Sequence, residues 1–514
     1  MSRMVSLLAI LLSSIAAASP IPSQTIEWGP CPTEGPEAEN YASATIPIEC
    51  GNFAVPIDYT NPDSAPLNLS LVRVPALSGG VYDFVAFDPR SVAADFRLVC
   101  ATNNFTIAQV LTTASDLSVS EHDSRRGWAV SKANTGICQY QGNGNETAEY
   151  IGTVAMARDM ASVAEAVDKD GLIRYWGFSY GTTLGATIAS MFPDKVDRML
   201  IDGIQNAKQY YHEWTDSELW TYTDKAVEYL FESCAAAGPE YCALAAATNR
   251  TGGEMARDFY NFVEDITAAP IGLPKSGSAL DGVTLKATIF SQTYDAAGWA
   301  NFSKVLAPIL YGTEEQRIAA LESFGKGAAE SISLGPSEPN WGIHCGDRIP
   351  RTDDFEEIYP SLLNLYNTSY YQGGPNAAVQ AVCAQWPWKA KEVYEGNFEA
   401  KTKHPILVMS NSLDGQTPIV SARNMSAGFE GAVILENDGV GHCAFSYPTT
   451  CAAKHVIAYW VNGTMPAEGT LCEAEFDPYQ KLEWADVLQL MANGTTPGNA
   501  TLSAKKWLAE QLGS

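Results

Sequence analysis

The sequence predicts an α/β chain in which a mostly parallel sheet is interrupted by a long helical insertion. Three observations predict it. Short apolar runs bounded by turn residues alternate with stretches of helical spacing. A G-x-S-x-G pentapeptide, Gly177 to Gly181, stands between one such run and a helical stretch. Between Asn206 and about Ala400 the strand-like runs give way to helical segments rich in Tyr and Trp, such as YYHEWTDSELWTYTDKAVEYLFESC, and resume at Pro405.

From the amino terminus, Arg3 precedes an apolar run, Val5 to Ala18, that ends in Ala16-Ala17-Ala18. This is the pattern of an export leader cut before Ser19. Its 14 residues are too few to span a bilayer core of ~30 Å. No later stretch has the length and apolarity of a membrane span, and the end of the chain, KKWLAEQLGS, is too polar for a lipid-anchor signal. Ten N-x-S/T sequons are glycosylation candidates in an exported chain: Asn68, Asn104, Asn145, Asn249, Asn301, Asn367, Asn424, Asn462, Asn493 and Asn499. The 11 cysteines are scattered, with no C-x-x-C and no Cys/His spacing suited to zinc, so they read as disulfides, one left over. With 32 Lys and Arg against 59 Asp and Glu, the net charge of −27 repels a phosphate backbone and speaks against nucleic acid as a partner. No metal and no cofactor is expected.

The apolar runs expected as buried strands are Asn68 to Val74, Tyr82 to Phe87, Leu172 to Trp176, Arg198 to Ile201, Pro405 to Met409 and Ala432 to Leu435. Ala155 to Asp168 and Thr182 to Met191 have the spacing of amphipathic helices. At 514 residues the chain exceeds one simple core. The expected organisation is a leader at 1–18, a sheet domain at 19–205 resumed at 401–475, a helical insertion at 206–400, and a tail at 476–514. Such insertions often cap a site at the carboxyl ends of the strands.

The pentapeptide follows LIRYW and opens TTLGATIASMF. Strand, sharp turn and helix form the geometry of a nucleophile elbow, with flanking glycines for the bend and Ser179 exposed above the sheet. The backbone N–H of Tyr180 is then an oxyanion donor. The plain alternative is a strand–helix turn that uses Ser179 as an N-cap. A serine of ordinary acidity needs a base, and the base an orienting acid, in the order Ser, acid, His for this kind of sheet. Of the six histidines, His122 precedes the serine, His212 and His344 lie in the insertion, His404 precedes a strand, and His455 sits in a helical pattern. His442 follows AVILE through the loop NDGVG and is the candidate base. Asp414, just past the strand PILVM, is the candidate acid; Asp202 in MLIDG and Asp438 in the His loop are the alternatives.

The stretches YWGFSYGTTLGATIASMFPDKVDRMLIDG, HPILVMSNSLDGQTPIVSARNMS and GHCAFSYPTTC through GTMPAEGTLC resemble the secreted tripeptidyl-aminopeptidase-like and prolyl-aminopeptidase-related serine peptidases of the α/β-hydrolase superfamily. The resemblance runs from about Trp28 to Cys472 and includes VPIDYTNP, FDPR and CAAAGPEYC. It implies Ser179 as nucleophile, Asp414 as acid, His442 as base, a metal-free exopeptidase acting at peptide N-termini, and the pairs Cys31–Cys50, Cys100–Cys138, Cys234–Cys242, Cys345–Cys383 and Cys451–Cys472, with Cys443 odd.

The family pattern breaks between LVRVPA and FDPR. A further strand, a Gly-rich loop and a helix are expected there, yet only Leu77-Ser78-Gly79-Gly80 separates two strands, so roughly thirty residues are missing. Ser91 and Ala93 also stand where the family has glycines. The missing loop supplies the second oxyanion amide, and the missing strand lies inside the sheet between Tyr82–Phe87 and the run leading to Ser179. Neighbouring strands must close the gap, or Gly79-Gly80 must form a shortened loop, or the sequence is a mis-spliced or mis-predicted product, which the reading favours. Three functions follow: an exopeptidase whose insertion carboxylates, from among Glu213, Asp216, Glu218 and Asp347, hold the substrate amine; an esterase or lactonase with the same triad; or a vestigial binding protein without a complete oxyanion hole.

Overall fold

The computed structural model describes all residues except 1–24, 35–37, 62, 77–79, 94–95, 101–119, 276, 333–337, 481, 496–499 and 514. The leader and the sequons at Asn104 and Asn499 fall outside the described residues.

After a short helix at Ala38–Ala42 come three strands, β1 (Glu49–Pro56), β2 (Pro66–Val74) and β3 (Phe84–Phe87), which form an antiparallel sheet in the order β1-β2-β3. After a helix at Glu121–Tyr140 follow helix α1 (Thr153–Val167), β4 (Ile173–Phe178), helix α2 (Tyr180–Met191) and β5 (Val196–Asp202). Among the described residues from 207 to 384 helices predominate, and the strands are those of one small hairpin, β6 (Ile271–Leu273) with β7 (Ser278–Leu280). This region includes α3 (Ala207–His212), α4 (Thr223–Tyr241) and α5 (Glu338–Asp347). The sheet then resumes with β8 (Leu407–Leu413), α6 (Ile419–Ser426), β9 (Val433–Val440), α7 (Thr450–Asn462) and β10 (Leu471–Cys472). The second sheet is parallel throughout, in the order β10-β9-β8-β5-β4.

Local sequence explains these elements. Every residue of β8 is buried, as in an interior parallel strand covered on both faces. Helix α2 lies close on the sheet because its residues are small. A Cβ on Gly185 would stand 2.9 Å from side-chain atoms of both Ile201 and Tyr175. One apolar cluster joins Met156, Ile201, Val408 and their neighbours around the sheet. A second is built by the helical region and reaches Leu413 and Val440 at the ends of β8 and β9. The helices therefore pack on the carboxyl ends of the strands.

In the expected tail, 476–514, helix Ala504–Leu512 buries Trp507, whose ring lies 5.1 Å from that of Tyr229. Of the three alternatives for the gap after Ala76, closure by neighbouring strands is not seen: among the described residues the sheet divides there. Among the described residues β3 pairs only with β2, and β4 only with β5. Aromatic rings occupy the break: Phe84 of β3 meets Trp176 of β4 at 6.5 Å, and Trp176 stacks on Phe178 at 5.3 Å. Phe84 and Phe445, on either side of this cluster, remain 58% and 44% exposed. Downstream, Ser91 takes φ 84°, a left-handed conformation that favours glycine, the residue the resemblance leads one to expect there.

Candidate active site

Four adjacent strands bring one polar residue each to the same rim. Ser179 follows β4, Asp202 ends β5, Asp414 follows β8, and His442 follows β9 after one glycine. Register aligns them, with Phe178 opposite Asp202 and Asp202 opposite Met409.

Ser179 sits in a strained turn, φ 53° and ψ −122°. A non-glycine residue held there costs ~1–3 kcal/mol, a strain that clusters at functional turns. The turn needs Gly177, where a Cβ would meet the Gly181 carbonyl oxygen at 2.5 Å. The Ser179 side chain does not cap α2. The N-cap alternative therefore fails, and the hydroxyl has no hydrogen-bond partner among the described residues. Tyr180 is the first residue of α2, so its N–H is one of the donors a helix leaves free at its positive end.

His442 Nδ1 lies 3.2 Å from Asp414 Oδ2 and 3.1 Å from Thr417 Oγ1. Asp414 also accepts from the Gln416, Thr417 and Cys443 amides, each at 2.8 Å, and from the Thr417 hydroxyl at 2.6 Å. Burial alone would raise the Asp414 carboxyl; the His442 ring and these bonds overturn that and hold it below the usual carboxylate range. Burial likewise would lower His442, but Asp414 raises it above an ordinary imidazole. The edge of Tyr294 closes over the ring at 5.3 Å.

Asp202, the alternative acid, has a different task. Its carboxylate accepts from the Ala444 and Phe445 amides at 2.6 and 2.9 Å, and its carbonyl accepts from the Ser179 amide at 3.1 Å. It thus ties the histidine loop to the serine turn. The loop presses so closely on β5 that a Cβ on Gly203 would lie 2.4 Å from Cys443 Sγ. Asp438 turns away and accepts from Ser503 and Lys505. Sequence reading missed Thr417 and Asn411, whose amide holds the Gly441 and Cys443 carbonyls at 2.9 and 2.8 Å. The signal for Asn411 was the polar run Ser410-Asn411-Ser412 inside an otherwise apolar strand.

The four amine-binding candidates do not form one free acidic site. Asp347 is fully buried and accepts from Thr153 and Tyr210. Asp216 is buried and paired with Arg348 at 2.6 Å and His344 at 3.0 Å. Glu218 accepts from Asn206, Ser421 and Asn424. Satisfied carboxylates of this kind hold the fold, and only Glu213 is exposed with its carboxylate unpartnered among the described residues. Among the described residues no cluster of His, Cys, Asp and Glu could hold a metal ion. The disulfides are Cys31–Cys50, Cys100–Cys138, Cys234–Cys242, Cys345–Cys383 and Cys451–Cys472, the pairs that the resemblance implies. Cys443 is free and buried.

These carboxyls set a stability profile. Burial pushes Asp202 up to about 7 and Asp347 up to about 6. Above the ordinary carboxylate range the folded chain thus holds protons that the unfolded chain releases, and stability falls as pH rises to 7. His442 acts with the same sign, since a raised pKa stabilises below 6.5 and that contribution is lost as pH climbs through the folded value. Asp414, lowered, stabilises above its unfolded pKa and is lost in acid. The melting temperature should therefore rise from pH 8 to about 5 and drop again below about 4. Calorimetry across this range checks it; a melting temperature that climbs from pH 5 to 8 would contradict it.

Two family models match the chain: that of the alpha/beta hydrolase fold over residues 63–232, and that of TAP-like protein over residues 370–472. The chain is 23% identical to "Serine protease Hip1" of Mycobacterium tuberculosis over 499 residues, covering 88% of this chain and 92% of that protein. It is 23% identical to "Tripeptidyl aminopeptidase" of Streptomyces lividans over 476 residues, 84% of this chain and 85% of that protein. A shorter match, 23% over 238 residues, is to "Putative hydrolase YuaR" of Escherichia coli and covers 38% of this chain and 44% of that protein.

Proposed function

Because this chain is a serine hydrolase of the α/β-hydrolase type with a TAP-like region, we propose that it is an exported aminopeptidase working through an acyl-enzyme on Ser179. The observation that carries the reading is the strained, unbonded Ser179 on the same rim as His442, which is paired with the buried Asp414. In free enzymes the bond between such a hydroxyl and imidazole is often long and tightens only with substrate bound.

In the first half-reaction Ser179 Oγ attacks the scissile carbonyl and His442 Nε2 takes its proton. Asp414 holds the imidazolium, and the Tyr180 N–H faces the oxyanion. The tetrahedral intermediate collapses, the C–N bond breaks, and the departing amine takes the proton from His442. A water then repeats the sequence on the ester and frees Ser179. The free N-terminus of the peptide needs an acidic contact, and the exposed Glu213 is the candidate that supports it. Export agrees with five disulfides and with the exposure of every described sequon asparagine, Asn68, Asn145, Asn249, Asn301, Asn367, Asn424, Asn462 and Asn493. The divided sheet favours a second reading, a weakened hydrolase, because one lost oxyanion donor costs about 100- to 1000-fold in turnover.

A fluorophosphonate probe should label the purified protein at Ser179, and Ser179→Ala should abolish the adduct. Hydrolysis of aminoacyl nitroanilides in preference to acyl esters then distinguishes the aminopeptidase from the esterase. A folded protein that stays unlabelled would leave the vestigial reading standing.

A further inference from the structure

Beside the serine turn lies a buried hydrogen-bonded chain that the reaction above does not use. Tyr180 Oη stands 2.6 Å from Thr153 Oγ1. Thr153 in turn donates its hydroxyl to Asp347 Oδ2 at 2.5 Å and its amide to Asp347 Oδ1 at 2.8 Å. Tyr210 donates to Asp347 Oδ2 at 3.1 Å, and its ring stacks on His344 at 4.7 Å. Thr153 and Asp347 are fully buried. The chain joins four elements: α1, whose first residue is Thr153; α2, whose first residue is Tyr180; α3, which carries Tyr210; and α5, whose last residue is Asp347.

Proton counting sets its direction. Above the pH at which Asp347 gives up its proton, about 6, its carboxylate only accepts, so the single Thr153 hydroxyl proton goes to Asp347. Thr153 Oγ1 can then only accept from Tyr180, and the Tyr180 hydroxyl is left one strong acceptor; Met156 Sδ at 3.7 Å is a weak second. Asp347 also serves α1 directly. Gly152 precedes that helix and has no side chain to cap it, so a carboxylate from α5 takes the first amide of the helix.

We propose that Asp347 is a positioning residue: through Thr153 it fixes the Tyr180 side chain, and with it the backbone N–H that faces the oxyanion, so that the helical region and the serine turn are set together. This rests on Ser179 as the nucleophile. It assigns Asp347 a role in turnover rather than in holding the substrate amine, which its burial and three donors leave no room to reach.

The substitution Asp347→Asn puts an NH2 where Oδ2 accepted. Thr153 must then turn its proton toward Tyr180, and the Tyr180 hydroxyl loses its acceptor. In the full-length chain, kcat on a peptide nitroanilide should fall about tenfold with KM within about twofold, because small misplacement of a transition-state donor costs rate rather than binding. Tyr180→Phe, which removes only the hydroxyl, should lower kcat in the same way with an unchanged melting temperature. The double variant should be no slower than Asp347→Asn alone, since both cut one chain. Multiplying effects, or a change confined to KM, would overturn the proposal. Should Asp347→Asn not fold, Tyr180→Phe decides: wild-type kcat there ends it. Ser179→Ala separates the two ideas. If that variant still turns over, the nucleophile reading fails; if it is dead while Tyr180→Phe is unimpaired, only the positioning role fails.

Discussion

His442→Ala should lower kcat on a peptide substrate by about 10⁵- to 10⁶-fold, as removing the base of a serine triad does, with little change in KM. The structure makes this a clean experiment. The loop carrying His442 is held by its backbone and not by the imidazole. Asp202 takes the Ala444 and Phe445 amides, Asp414 takes the Cys443 amide, and Asn411 holds two loop carbonyls. The His442 amide itself donates to the Tyr294 carbonyl at 2.8 Å. Truncating the ring leaves every one of these bonds in place. Steady-state kinetics together with thermal unfolding would check it, and a loss below tenfold in a folded variant would remove His442 from the chemistry.

Asp414→Asn should cost about 10⁴-fold in kcat, through the tautomer rather than the geometry. The amide's single oxygen, in the place of Oδ1, can still accept from the Gln416 and Thr417 amides. The other position becomes an NH2 facing three donors: the Cys443 amide, the Thr417 hydroxyl and the Nδ1–H of His442. The ring is then driven to accept at Nδ1 and to carry its proton on Nε2, where it cannot take one from Ser179. The same loss removes the charge that raises His442, so the acid limb of the kcat/KM profile should move to lower pH. An acid limb that stays put in Asp414→Asn would mean another group orients the imidazole. Asp202 would then be the first to test.

Where side-chain period and turn chemistry are local, the sequence was readable. The runs at 68–74 and 198–201 lie inside β2 and β5, the run at 172–176 starts one residue before β4, and the elbow at Ser179 follows from five consecutive residues. Strand β1 was missed because Gly51 and Asn52 interrupt ECGNFAVP, although burial alternates along it once it pairs with β2. Strand β8 was ended too early at Met409, since Ser410, Asn411 and Ser412 resemble a loop until the histidine loop supplies their partners. Asp202 and Asp414 are alike in sequence, each at the end of an apolar strand. Only the fold tells which carboxylate meets the ring and which meets the backbone. The insertion carboxylates were least readable, because a buried ion pair such as Asp216 with Arg348 joins residues 132 positions apart.

The break in the sheet has a consequence for handling the molecule. Strand β4 presents a row of backbone amides and carbonyls along IRYWGF with no neighbour among the described residues, and β3 presents another. Natural proteins guard such rims with proline, charge or a covering segment, since any passing strand can zip onto them. Among the described residues the guards here are aromatic rings, which are themselves adhesive. Such a rim is where a strand of another copy would pair, against the mutual repulsion of molecules that each carry a net charge of −27.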